Sequence, residues 1–333
     1  MKRMYICHTP YHLFIAIIRQ LLYKGEAVLV LCRVEQLSPE IVNGLKKQNL
    51  FRRIYEYDHL DSRRELLRGG KETLLHRKRV NSNIEDALGI DLNELKEYDI
   101  YIFNDSSVFG YWMNINGIKY HLLEDALDNY KIDKPKYLPL RKKIEKRIKQ
   151  LFRIDFSYWG ESANYLTVEV NDISGICIRK KKNVIEVPRK ELLHKLTKED
   201  KAILRTIYLD GFDLSQSEQY HGGTLIITQP LSEAKIVRHE TKMQIYQYLI
   251  NHYGTGQVFI KPHPEDQDSY LGFQGCIVIP AKSIPLEVFD LVTDIHFKRA
   301  VTCFSTAITE LENVEEKVIM GYEWVVGFDQ DHE

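Results

Sequence analysis

Along the chain, short runs of consecutive apolar residues alternate with longer stretches in which apolar positions recur every three to four residues. Runs such as Met4 to Cys7 and Ala27 to Cys32 predict strands buried on both faces, and the helical recurrence over Tyr11 to Tyr23 predicts a helix between them. Further strands are predicted at Arg53 to Tyr57, Ile100 to Asn104 and Lys119 to Leu123. A second series follows at Thr224 to Thr228, Val258 to Lys261, Cys276 to Ile279, His296 to Thr302 and Lys317 to Met320, separated by helical patterns such as Glu240 to Asn251. Strand and helix in alternation predict βα units on mostly parallel sheets, so the fold class is α/β, with two Rossmann-like halves. Between the halves lie a charged stretch, a helical pattern from Lys198 to Leu209 behind a Thr197 cap, and the turn-rich Asp213 to Gly223. The expected organisation is an N-terminal domain over 1–195, a linker over 196–222 and a C-terminal domain over 223–333. Two such domains facing a central cleft would place the carboxyl ends of both sheets, where open α/β sheets bind ligands, on one crevice. Function is therefore expected in the loops that follow strands.

The length of 333 residues suits two cores, and 44% hydrophobic with 28% charged residues is the composition of a globular protein. A net charge of −1 leaves no global field to recruit nucleic acid, which is not expected as a partner. Five scattered cysteines without CxxC spacing argue against a disulfide framework or a structural zinc site, and point to the cytoplasm. The apolar run near the N-terminus is broken by His8, Pro10, His12 and Arg19, so neither a signal peptide nor a spanning helix is expected.

Four constellations carry candidate chemistry. The strand at His121 to Leu123 ends in Glu124 and Asp125, adjacent carboxylates whose repulsion can raise one pKa and make a general base; the same two acids also read as caps of a following helix. The strand Val258 to Lys261 runs into Pro262-His263-Pro264, where two prolines present an imidazole rigidly; a solvent-facing turn is the alternative. Ser305 and Thr306 follow a strand and precede a helical pattern over Ala307 to Asn313, which suits either a phosphate site or an ordinary N-cap. Glu287 stands in the first turn of another predicted helix, as a ribose ligand or a plain N-terminal acid.

Together, Cys7-His8-Thr9-Pro10-Tyr11-His12, Glu124-Asp125-Ala126, His263-Pro264, Glu287 and Ser305-Thr306 resemble the bacterial sialyltransferases of GT-B architecture, above all glycosyltransferase family 52, the lipooligosaccharide sialyltransferases. The likeness runs from Tyr5 to about Ala307, with 24 residues from His263 to Glu287 and 18 from Glu287 to Ser305. Ala126 stands where the family has glycine, which touches loop geometry and acceptor fit rather than the two carboxylates.

The resemblance implies inverting transfer of sialic acid from CMP-sialic acid to a galactose- or sialic-acid-terminated glycan of lipooligosaccharide or capsule, on a lipid-linked acceptor. It implies Asp125, ahead of Glu124, as base and His263 as the group meeting the leaving phosphate. Lys261, Pro264, Glu287, Ser305 and Thr306 would bind the donor. No cofactor and no metal are expected, and the DxD-like Asp266-Gln267-Asp268 and Asp329-Gln330-Asp331 read as solvated surface. Another nucleotide sugar such as UDP-glucose, epimerase chemistry on the same fold, and a decayed nucleotide-binding protein are the rival readings. Linkage, processivity and oligomeric state, a homodimer included, stay open. Finally, Arg141 to Arg153 carries seven cations against one acid, with Ile144, Ile148, Leu151 and Phe152 at helical spacing. That stretch reads either as a peripheral contact with the anionic inner face of the plasma membrane or as a packed helix with a solvated basic side.

Overall fold

The computed structural model describes residues 2–32, 37–57, 73–125, 159–160, 162–174, 176, 183–210, 221–279, 282–293 and 295–330. Ala126, Asp331, Cys177 and the basic stretch Arg141 to Arg153 lie outside them. Among the described residues no helix is long and apolar enough to cross a membrane.

In the first half, β1 (Lys2–Cys7), α1 (Pro10–Tyr23), β2 (Ala27–Cys32), α2 (Pro39–Lys47) and β3 (Arg53–Tyr57) are followed by α3 (Thr73–Leu88), β4 (Tyr98–Ile102), α4 (Val108–Asn116) and β5 (Tyr120–Leu123). Then come β6 (Tyr165–Val170), β7 (Val184–Glu186) and α5 (Arg189–His194). Among the described residues these seven strands form one parallel sheet, in the order β3-β2-β1-β4-β5-β6-β7. Helices cover parallel sheets on both faces, so the central strands are apolar throughout: every residue of β2 is buried. The sequence pattern does not predict β6 and β7. β7 is the edge strand and has only three residues, and β6 beside it mixes exposed, half-exposed and buried residues, so neither makes a continuous apolar run.

The second half contains α6 (Lys198–Leu209), β8 (Gly223–Ile227), α7 (His239–Tyr253), β9 (Val258–Lys261), β10 (Cys276–Val278), α8 (Leu286–Val292), β11 (Phe297–Thr302), β12 (Val314–Ile319) and α9 (Tyr322–Gln330). Its five parallel strands run β10-β9-β8-β11-β12. The helix expected over Ala307 to Asn313 is instead a short 3-10 turn, Thr306–Glu310. Eleven residues join β11 to β12, too few for a helix the length of a strand.

The chain divides into two compact units at Thr197/Lys198, the first holding β1 to β7 and the second β8 to β12. Helix α6, inside the stretch expected as a linker, groups with the second unit, as does most of α2. Gly44 permits that grouping of α2: a Cβ there would lie 2.9 Å from Ile207 Cα of α6. Ser38 N–H also donates to Ser283 Oγ at 3.2 Å. Each unit has its own core, one built around residues such as Met4, Val30, Trp112 and Leu122, the other around Ile226, Tyr246, Ile260 and Val301.

Candidate active site

In each unit the strand order reverses beside the first strand of its series, between β1 and β4 and again between β8 and β11. Open parallel sheets bind ligands outside the carboxyl ends of the strands at such a point. In the first unit β1 is followed there by His8, β4 by Asn104 and β5 by Glu124 and Asp125.

The start of α1 is written in its sequence. Thr9 has extended backbone and accepts the His12 N–H at 3.2 Å as N-cap, and Pro10 occupies the first turn, where its missing N–H costs nothing. This cap carries His12 across to β5, and His12 Nε2 lies 2.6 Å from Asp125 Oδ1. Asn104 Nδ2 donates to Asp125 Oδ2 at 2.9 Å. The His12 ring is buried and stacked on Phe103 at 4.2 Å, whereas the Asp125 side chain keeps 26% of its surface exposed.

Glu124 differs sharply from its neighbour. It is buried, its Oε1 accepts from Arg189 Nη2 at 2.6 Å and its Oε2 from the Asn171 N–H at 2.5 Å. Arg189 stacks over Tyr11 at 4.6 Å, and the pair lines a pocket with Asn171 and the Arg19–Glu169 ion pair, whose arginine is buried and glutamate half-buried. In the sequence His12 belongs to the Cys7–His12 motif with no role marked, Asn104 is visible only as the residue that closes a predicted strand, and Arg189 carries no local signal.

In the second unit His263 follows β9. Its N–H donates to Thr228 Oγ1 at 3.1 Å, and its Nδ1 accepts the Glu265 N–H at 3.1 Å, so Nε2 carries the ring proton. Burial lowers its pKa from the ordinary histidine value. Lys261 is buried, and its Nζ donates to the carbonyls of Pro262 and Lys282 at 2.9 and 3.1 Å. Burial brings its pKa down to about 7, against the opposing pull of Glu287. Pro264 is exposed, and Glu287 stands half-buried in the first turn of α8. Ser305 is half-buried at the N-cap of the 3-10 turn, with no capping bond from its side chain, and Thr306 opens that turn. The α-helical N-terminus anticipated there is absent among the described residues, so its dipole cannot be invoked for a phosphate.

Asp266-Gln267-Asp268 is not the solvated surface expected. Asp266 is buried and accepts from Thr228 Oγ1 at 2.6 Å, Tyr270 Oη at 2.5 Å and Lys242 Nζ at 2.7 Å. The fully buried Lys242 ammonium also meets both Glu233 oxygens at 3.0 Å and Asp268 Oδ2 at 2.7 Å. Glu233, Asp266 and Asp268 are close enough together to ligate a cation, but the lysine already supplies the positive charge among them.

A solved structure, the alpha/beta-galactoside alpha-2,3-sialyltransferase of the luminous marine bacterium Photobacterium phosphoreum, superposes with a TM-score of 0.56 at 13% identity, over 99% of this chain and 95% of that one. The likeness shows a fold of GT-B type. An uncharacterized protein of Haemophilus influenzae is 27% identical over 235 residues, 69% of this chain and 71% of that protein. Residues 74–321 match Glycosyltransferase family 52, a span that takes in Asn104, the Glu124-Asp125 pair, His263 and Ser305. With that span covering most of both units, the chain belongs to glycosyltransferase family 52 and is a glycosyltransferase.

Proposed function

We propose that the enzyme is a sialyltransferase that moves sialic acid from CMP-sialic acid to a glycan acceptor by a single inverting displacement. The observation that carries this reading is Asp125 itself: within the family-52 region it is a partly exposed carboxylate gripped on both oxygens, as a base that must meet an acceptor hydroxyl needs to be. The acceptor oxygen attacks the anomeric carbon of the sialic acid and its proton passes to Asp125. The bond from that carbon to the CMP phosphate breaks, and the electron pair leaves with the phosphate oxygen. His263 donates to that oxygen through Nε2–H, assisted by Ser305 and Thr306, while Glu287 takes the ribose and Lys261 and Pro264 shape the turn. General-base help of this kind contributes roughly 10² to 10⁴ in rate.

No metal is needed in this scheme, because CMP departs as a monophosphate ester that protein donors can stabilise. The acceptor is a galactose- or sialic-acid-terminated, lipid-linked glycan of lipooligosaccharide or capsule. Transfer takes place on the cytoplasmic side of the membrane, with Arg141 to Arg153 against anionic lipid. The family match and the fold of the Photobacterium enzyme support the coarser reading, a sialyltransferase with a nucleotide-sugar donor and a glycan acceptor. The test offers CMP-sialic acid with galactose-terminated and sialic-acid-terminated acceptors, followed by linkage analysis of the product, beside binding of CMP and UDP. CMP binding with a sialylated product is expected; binding of UDP alone would transfer the reading to another nucleotide sugar.

A further inference from the structure

We infer that His12 is a positioning residue for Asp125: a neutral imidazole held in its Nε2–H form by the backbone of His8, which aims the carboxylate at the acceptor hydroxyl. This rests on the reading of Asp125 as the general base.

The protonation pattern follows from one donor whose polarity is beyond question. The backbone N–H of His8 can only donate, and it points at His12 Nδ1 at 3.1 Å. Nδ1 therefore offers its lone pair, the ring proton sits on Nε2, and Nε2–H donates to Asp125 Oδ1 at 2.6 Å. A second proton on Nδ1 would meet the His8 N–H head on. Stacking on Phe103, with 4° between the ring planes, holds the imidazole plane in place.

The other carboxylate oxygen is governed in the same way. Asn104 Oδ1 accepts the Ser106 N–H at 2.9 Å, which settles which end of the amide is which and turns Nδ2 towards Asp125 Oδ2. Backbone amides after β1 and after β4 thus dictate, through His12 and Asn104, one donor for each oxygen of the base. Serine hydrolases use a carboxylate to orient a histidine base; here the histidine orients the carboxylate. A carboxylate clamped at both oxygens cannot rotate away from the line of proton transfer, and small losses of aim in such groups are costly in rate.

Two variants separate positioning from packing. His12→Phe keeps the stack on Phe103 and loses the donor, while His12→Gln keeps an N–H donor near the place of Nε2. His12→Phe is expected to lower kcat for transfer about 10- to 100-fold with KM for CMP-sialic acid nearly unchanged, and His12→Gln to regain most of the loss. A kcat for His12→Phe within about threefold of wild type, or equal losses in both variants, overturns the proposal. Should neither variant fold, nitrogen-15 NMR of the histidine-labelled wild-type protein at pH 8 decides: a bare Nδ1 and a protonated Nε2 are expected, and a protonated Nδ1 refutes the lock. Asp125→Asn distinguishes the underlying reading. Full transfer activity in that variant removes Asp125 as base whatever the NMR shows.

Discussion

Glu124 and Asp125, adjacent in the chain, are held by opposite means: Arg189 and a backbone N–H enclose Glu124, while Asp125 stays partly exposed between His12 and Asn104. One acid is spent on holding β5 to the β7–α5 corner and the other is left facing outward. Asp125→Asn is expected to abolish transfer while leaving CMP binding intact. Glu124→Gln should keep more than a tenth of the rate and instead lower stability by about 1–3 kcal/mol, since it leaves a mostly buried guanidinium without its carboxylate. Steady-state kinetics with thermal melts of both variants checks the assignment, and a dead but stable Glu124→Gln reverses it.

On the donor side, His263→Ala should lower turnover by about two decades or more, as loss of one well-aimed donor does. Removing both hydroxyls, at Ser305 and Thr306, should weaken CMP binding as well as rate. Calorimetric titration of CMP is the measurement, and unchanged affinity in the double variant would place the phosphate elsewhere.

Lys242 holds Glu233, Asp266 and Asp268 together, and Asp266 in turn holds Thr228, which receives the His263 N–H. Lys242→Met removes the cation these three carboxylates share, leaving Asp268 only His239 as an ionic partner, and should destabilise the second unit by about 3–5 kcal/mol. Burial raises the Glu233 pKa, but hydrogen bonds from backbone N–H groups and from Lys242 outweigh it and bring the group down to about 2. Its contribution is present above the unfolded value near 4.5 and is lost as pH falls towards about 2. Acid unfolding of the wild-type protein should show that loss, and the Lys242→Met protein should lack the part of it that Lys242 supplies, the backbone N–H donors being retained.

Lys261 gives the opposite end of the pH range. Its folded pKa of about 7 lies below the ordinary 10.5, so between these values the unfolded chain binds the additional proton and stability rises with pH. Denaturant melts from pH 7 to pH 10 should gain a few kcal/mol in the wild-type protein relative to Lys261→Met. Parallel curves for the two proteins would show that the amine is not desolvated.

Much of this architecture can be read in the chain itself, because local burial writes local patterns. Continuous apolar runs marked β1, β2, β8 and β9, and the Thr9-Pro10 pair marked the start of α1 through its own capping chemistry. Glu287 falls in the first turn of a helix as its surroundings imply. The edge strand β7 and its neighbour β6 carry no clear signal in the chain, because half-exposed and exposed residues interrupt their apolar runs. The pattern could bring Glu124 and Asp125 to the end of a strand but could not tell them apart. That choice depends on Arg189 and His12, 65 and 113 residues away. Asp266 and Asp268 looked like surface until α7 brought Lys242 between them. Periodicity records which side of an element is buried; which distant side chain meets a given carboxylate is set by strand order and helix packing, and those exist only once the chain has folded.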